Sequence, residues 1–253
     1  TAYEIRLSLV GSGMCIRDRQ ELDKQKSEFV SIASHQLRSP LTAIRGYGSM
    51  LREGSFGKLP ETTNDPLDRI NESAKLMAMS IEDFLSVSRI ESGNMKYELS
   101  DFNLNEQAKH IVDDLRTEAL KAGLVLYYKS DITSQGFVTA DIGKTQQILH
   151  NLINNSLKYT LKGTITVYVH DDPKTKTLCV DIIDTGIGMN QKTIDNLFNK
   201  FSRADNANSV NIKGTGLGLF VARQMARAMK GDVTCASAGD GKGSTFTLKM
   251  PLA

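Results

Sequence analysis

The chain has 253 residues, in which 31 Lys plus Arg face 29 Asp plus Glu for a formal charge of +2. That near balance argues against a general nucleic-acid binder, which needs a dense basic surface, and 24% charged with 40% hydrophobic residues describe a globular protein rather than a disordered one. Three scattered cysteines, Cys15, Cys179 and Cys235, make neither a disulfide framework nor a zinc site, and no apolar run reaches the roughly 18 to 20 residues that cross a bilayer.

At the start, Met14-Cys15-Ile16-Arg17-Asp18-Arg19 resembles the translation of a transposase end sequence used in preparing sequencing libraries. Residues 1–19 are therefore expected to be a linker, in part not native. From Gln20 to about Met50 a helical stripe runs through Leu22, Phe29, Ile32, Ala33, Leu37, Leu41 and Ile44, with Pro40 expected to bend it. The breaker cluster Glu53 to Pro60 reads as a loop. A second helix, from Thr62 or Thr63 to Ile90, carries Leu67, Ile70, Ala74, Met77, Ile81, Phe84 and Leu85 on one face and ends at Gly93. Two such helices make an antiparallel hairpin. A lone pair cannot bury both stripes, so dimerisation into a four-helix bundle is expected.

Beyond Tyr97 the pattern changes. A helix is predicted over Asn105 to Ala122, a strand over Leu124 to Tyr128 and a helix over Ile142 to Leu157. Strands follow at Thr164 to Val169 and Leu178 to Ile183, then a helix Leu217 to Met229 and a closing strand Ser244 to Met250. Helices set against a mixed sheet give an α+β fold.

Three motifs carry chemistry. Asn151 and Asn155 are four apart, so they share one helix face, with Lys158 three further along. Amide oxygens can join a Mg²⁺ shell partly filled by phosphates and water, and lysine supplies a point charge for phosphate. Taken alone, this is also simply a polar helix face ending in lysine. Asp184-Thr185-Gly186-Ile187-Gly188 follows a predicted strand. A carboxylate there can accept from an exocyclic amine while the glycines admit a flat ring, although a Gly-rich turn looks the same. Gly214-Thr215-Gly216-Leu217-Gly218-Leu219 opens a helix, whose free N–H groups suit phosphate. Leu219 stands where a dinucleotide fold needs its third glycine, and no P-loop pattern occurs.

In this order the three motifs resemble the N, G1 and G2 boxes of bacterial two-component sensor histidine kinases, whose ATP-binding domain belongs to the GHKL superfamily. Leu197 to Ala204 resembles the F box, Gly241 to Phe246 the final glycine motif, and Ser34 to Thr42 the H box. The resemblance covers about residues 20 to 253. It implies a dimerisation and histidine-phosphotransfer hairpin over 20–95, then over 96–253 an ATP-binding α/β sandwich of GHKL (Bergerat) type with a mixed sheet. Carried over position by position, it implies that Asp184 recognises adenine beside Gly186 and Gly188, and that Asn155 ligates Mg²⁺. Asn151, Lys158 and Arg203 are implied to contact the phosphate chain or its metal, with Tyr159 bordering the nucleotide. Gly214, Thr215, Gly216, Leu217, Gly218 and Leu219 form the implied phosphate-facing turn, and Asp205 to Lys213 a lid over ATP.

His35, nearly opposite the apolar stripe at 100° per residue, is the implied nucleophile. Its neutral imidazole attacks the γ-phosphate of ATP, with Arg38 helping to bind incoming phosphate, and the phosphoramidate passes its phosphoryl group to an aspartate of a response-regulator receiver domain. The other histidines, His110, His150 and His170, read as structural. Many relatives carry Glu or Asp after the histidine, where this chain has Gln36. An amide can fix the imidazole tautomer but cannot take its proton. Ser39 keeps a polar group one turn from His35 and leaves room for phosphatase action. Two other readings stand beside the kinase: a catalytically weak, nucleotide-binding dimeric scaffold, which Gln36 favours, and a GHKL ATPase, which the H-box hairpin disfavours. The expected partners are a second copy through residues 20–95 and a receiver domain, with neither nucleic acid nor membrane bound by this stretch. The expected location is the cytoplasm, including as the cytoplasmic portion of an inner-membrane sensor.

Overall fold

The computed structural model describes residues 32–34, 36–202 and 215–253. The expectations for residues 1–19, the start of the first helix, His35, Arg203, Gly214 and the lid at Asp205 to Lys213 lie outside the described residues. The chain divides into two compact units at Met95–Lys96.

The first unit is a helical pair. Helix α1 is helical at 32–34 and over 36–52, and α2 spans Asn64–Glu91 after a 3-10 turn at Glu61–Thr63. The helix continues through Pro40, whose missing N–H deprives the Gln36 carbonyl of its usual donor. Gly54 and Gly57 take positive φ of 78° and 105° in the connecting turn, a conformation open to glycine. At the far end Gly93 has φ 68°. Its N–H reaches Ile90 O at 3.1 Å while that of Asn94 reaches Arg89 O at 2.9 Å, the paired bonds of a Schellman cap.

The pairing is antiparallel, with Arg52 bonded to Asp68 at 2.9 Å and Arg38 to Glu82 at 2.7 Å. Between these rungs Gly48 leaves space for the Asn71 side chain, which a Cβ would strike. Leu41, Leu67, Ala74 and Leu85 are buried, whereas Ile44, Ile70, Met77 and Phe84 remain 45%, 49%, 54% and 45% exposed. Leu41, Ile44, Ile70, Ala74 and Met77 line a shallow apolar groove of about 310 Å³. Among the described residues, about half of the two predicted stripes therefore faces outward in a single copy.

The second unit is a two-layer α/β sandwich. In chain order it runs β1 (Ser100–Asn103), α3 (Leu104–Lys121), β2 (Leu124–Asp131), β3 (Phe137–Ala140), α4 (Ile142–Tyr159), β4 (Gly163–Asp172) and β5 (Thr177–Asp184). It continues with α5 (Gln191–Asn196), α6 (Gly218–Ala228), β6 (Asp232–Ala236) and β7 (Ser244–Pro251). The main sheet has the order β2-β4-β5-β7-β6, with β2 and β4 parallel and the other neighbours antiparallel. β1 and β3 form a separate two-stranded ribbon.

Four short elements were not predicted: β1, β3, α5 and β6. Each is six residues or fewer, too short to establish a hydrophobic period. The predicted strands are also longer than expected, since pairing extends β2 to Asp131 and β4 to Asp172.

Asn103 caps α3 by accepting from the Glu106 N–H at 3.0 Å, and Asp141 caps α4 by accepting from the Lys144 N–H at 2.9 Å. The core lies between the helices and one sheet face. Ile148, Leu149, Leu152 and Ile153 of α4 are fully buried with Ile165, Val167 and Val169 of β4, Leu178, Val180 and Ile182 of β5, and Leu248 of β7. Buried residues alternate with more exposed ones along β4 and β7, as a half-covered sheet requires, whereas β5 buries Leu178, Cys179 and Val180 in succession. Behind the 131–136 connection, Asp171 accepts from the N–H and hydroxyl groups of Thr133 and Ser134 at 2.6 to 2.9 Å. Burial alone would raise its carboxyl, but these bonds outweigh it and hold the pKa to about 2.

Candidate nucleotide site

Two apolar rows end in polar residues that meet. On β5 the inward row runs Leu178, Val180, Ile182 and then Asp184, which is only 5% exposed. On α4 the buried stripe runs Ile148, Leu149, Leu152, Ile153 and then Ser156. Helix and strand periods thus deliver a hydroxyl to a carboxylate, and Ser156 Oγ donates to Asp184 Oδ2 at 3.2 Å. Asp184 Oδ1 accepts from the backbone N–H of Gly186 at 2.9 Å and of Ser244, at the start of β7, at 3.2 Å. Burial pushes this carboxyl above its ordinary range, and the three hydrogen bonds pull it part of the way back.

The glycines of this segment are there for space. A Cβ on Gly186 would strike Tyr159 O and would lie 2.8 Å from Asp184 Oδ1 and 2.9 Å from Thr160 Oγ1. The Ile187 N–H donates to Tyr159 O at 3.0 Å, which ties the turn to the end of α4. Gly188, at φ 64°, packs against the Gly239 carbonyl. Thr160 is buried, and among the described residues its hydroxyl has no hydrogen-bond partner. An orphaned buried hydroxyl costs stability unless a ligand or water meets it. The Asp184 carboxylate and the Thr160 hydroxyl both approach Gly186, a pair of polar groups suited to an amine-bearing ligand.

On another side of α4, Asn151 and Asn155 are partly exposed and Lys158 is exposed. Asn151 Nδ2 donates to the Gly218 carbonyl at 3.3 Å, which joins this face to the start of α6. Leu217, buried, occupies the N-cap of α6 without a capping side-chain bond, so the first-turn N–H groups lack a side-chain cap. Thr215 Oγ1 accepts from the Leu217 N–H at 3.2 Å. Gly216 has φ 69°, and a Cβ there would sit 2.8 Å from Ser202 O, so the turn abuts the end of the Leu197 to Ser202 segment. Leu219 follows in the first turn of α6, partly exposed. That segment is held on α6 by two cation–π contacts: Arg223 lies 4.6 Å from the Phe198 ring centre and Lys200 lies 5.2 Å from that of Phe220. Arg223 also pairs with Asp232 at 2.9 Å.

The fold thus gathers Asn151, Asp184, Gly186, Gly188, Gly216, Leu217 and Gly218 around α4 and the ends of β5 and α6. Asn155 and Lys158 stand on the exposed side of that helix, and the amide oxygens of Asn151 and Asn155 are hard donors suited to Mg²⁺. Ser156, Thr160, Gly239 and Ser244 belong to the same neighbourhood, and no role was assigned to them from sequence. Ser156 could have been found as the next step of the α4 stripe. In the helical unit Gln36, Arg38 and Ser39 are exposed on α1, with Arg38 engaged by Glu82.

Residues 140–253 match the family profile described as histidine kinase-, DNA gyrase B-, and HSP90-like ATPase, and residues 25–93 match that of the His Kinase A (phospho-acceptor) domain. The chain is 30% identical over 237 residues to sensor histidine kinase WalK of Bacillus subtilis, covering 93% of this chain and 38% of that protein. It is 31% identical over 233 residues to sensor histidine kinase RcsC of Escherichia coli, covering 92% of this chain and 24% of that one. It thus spans well under half the length of these relatives. Among solved structures, full-length ShkA in complex with AMPPNP superposes with a TM-score of 0.71 at 22% identity, over 89% of this chain and 46% of that one. Histidine kinase ThkA in complex with the response regulator TrrA superposes with a TM-score of 0.57 at 20% identity, over 89% and 61%. At these identities the likeness is one of fold.

Proposed function

The chain belongs to the two-component histidine kinases through both domains of their core, and from that premise we propose that it transfers the γ-phosphoryl group of ATP to His35 and on to an aspartate of a response-regulator receiver domain. The observation that carries the reading is the buried carboxylate of Asp184 at the end of β5, open to an amine and bordered by Gly186. The carboxylate accepts from adenine, with Tyr159 at the border of the ring, and the missing side chain of Gly186 lets the Asp184 turn pack against the end of α4. The phosphate chain runs toward Asn151, Lys158 and the α6 N-terminus, with Arg203 and Gly214 completing the set. Asn155, with Asn151 beside it, would hold Mg²⁺, which when bound supplies charge neutralisation on the phosphates.

In the transfer, a neutral imidazole nitrogen of His35 forms a bond to the γ-phosphorus as the bond to the bridging oxygen breaks and ADP leaves. The imidazole proton passes to solvent, because the amide of Gln36 cannot take it. Gln36 fixes the tautomer, and Arg38 receives the arriving phosphate charge by leaving Glu82. The phosphoramidate then gives its phosphoryl group to a receiver aspartate. The receiver seen with ThkA supports a partner of that kind. The exposed Ile44, Ile70, Met77 and Phe84 support a homodimer through residues 20–95. Ser39, exposed one turn from His35, supports a phosphatase step that orients water. The site of action is the cytoplasm, where ATP is supplied.

Incubation with γ-labelled ATP and Mg²⁺ tests this. Acid-labile label on the wild type, abolished in His35→Gln with nucleotide binding intact, is the expected outcome. Gln36 motivates the second reading, a nucleotide-binding scaffold; retained binding with no label on the wild type would establish it and overturn the kinase.

A further inference from the structure

Asp184 has more hydrogen bonds on one oxygen than on the other. Oδ1 accepts from two backbone N–H groups, those of Gly186 and Ser244, at 2.9 and 3.2 Å. A carboxylate oxygen offers about two acceptor sites, so Oδ1 is filled. Among the described residues, Oδ2 accepts from Ser156 Oγ alone, at 3.2 Å. The remaining acceptor site therefore lies on Oδ2, and Ser156 defines its direction. Ser156 is fully buried, and its one O–H proton is committed to this bond.

We propose that Ser156 is a positioning residue that sets base specificity, orienting Oδ2 of Asp184 and keeping it an acceptor, so that the site takes a purine with an amine at C6 and rejects one with a carbonyl there. The inference rests on the assignment of Asp184 as the base-reading group. An ionised carboxylate accepts from the N6 amine of adenine and repels the O6 carbonyl of guanine, whereas a protonated carboxyl donates and reverses that preference. Burial drives Asp184 toward the protonated form, and the Ser156 bond is one of the three that oppose it.

The ionisable groups nearest in sequence to this end of the surrounding elements include Lys158 and Tyr159 of α4, Cys235 of β6, and Asp240 and Lys242 in the turn before β7. Burial and the charge of Asp184 together push the Cys235 thiol up to about 12, so it stays neutral through the assay range. The shift of Asp184 itself arises from burial and its three hydrogen bonds.

The test is equilibrium binding of ATP and of GTP to the full chain, from about pH 5 to about pH 8, with folding checked by thermal melting. Both nucleotides carry the same triphosphate, so its titration cancels in the affinity ratio. Ser156→Ala is expected to weaken ATP roughly threefold to tenfold, to leave GTP unchanged or tighter, and to move the acid decline of the ATP/GTP ratio toward neutral pH. Ser156→Thr, which keeps the hydroxyl, is expected to restore the ratio. Asp184→Asn is the control for the underlying reading and is expected to collapse the ratio at every pH. If Asp184→Asn collapses it while Ser156→Ala keeps both the wild-type ratio and its pH profile, the role of Ser156 is overturned and that of Asp184 stands. Equal weakening of ATP and GTP in Ser156→Ala also overturns it, as a structural effect. An unchanged ratio in Asp184→Asn overturns both.

Discussion

The two units of this chain solve the same problem in opposite ways. The α/β unit closes its own core: α4 contributes four fully buried aliphatic residues, and three neighbouring strands turn their inward rows beneath the helical layer. The helical unit does not, since Ile44, Ile70 and Met77 remain about half exposed along a groove between its two helices, and Phe84 is exposed as well. A sheet with one face covered by helices is a complete layer pair, whereas two helices can bury only part of two wide stripes. The proposed nucleotide site lies in the unit that closes its own core, and the segment matching the phospho-acceptor domain lies in the unit that leaves apolar residues exposed.

That contrast can be broken by substitution. Leu152→Ala, at a fully buried position of α4, is expected to cost the α/β unit about 2 to 5 kcal/mol, read as a lower denaturation midpoint. A loss below about 1 kcal/mol there would falsify the view that this core is closed. Met77→Glu, on the exposed face of α2, is expected to leave single-copy stability within about 0.5 kcal/mol. Its effect should appear in sedimentation, as at least tenfold weaker self-association with ATP binding unchanged. An unaltered association constant would place the dimer contact elsewhere.

Acid titration separates two carboxylates of the α/β unit. Asp171, held at about 2 against an ordinary 3.8, contributes stability that is full above 3.8 and disappears as the pH falls through 2. Asp171→Asn should therefore flatten the acid limb of the stability curve, and a parallel limb in the variant would rule the contribution out. Asp184 has the opposite sign: its carboxyl lies above 3.8 in the fold, so its ionisation costs stability as the pH rises through its folded value. The smallest expected effect is Arg52→Ala. Its pair with Asp68 is 60% and 47% exposed, and such surface pairs contribute about 0 to 1 kcal/mol. A larger loss in a denaturation curve would mean that this rung holds the hairpin.

Legibility from sequence followed element length. Helices α2, α3 and α4 were long enough to read as such, β4 showed alternation, and β5 showed a buried apolar run. The ribbon of β1 and β3 offered nothing comparable, because four residues such as Ser100-Asp101-Phe102-Asn103 pair only through register with Phe137–Ala140. In the site, the spaced asparagines and paired glycines were visible because their chemistry depends on residue type and local spacing. Thr160 was not, because its burial beside Gly186 follows from where α4 ends against the Asp184 turn.

By itself, the sequence determined the long helices and the longer strands, the residue types and spacing of the motifs, and that the hairpin stripes exceed what two helices can cover. Those features depend on periodicity and residue chemistry, which are local. Only the tertiary structure decided that the buried stripe of α4 and the inward row of β5 end on the same point. The meeting of Ser156 with Asp184 depends on how helix and strand cross, a relation between segments 28 residues apart that neither period contains.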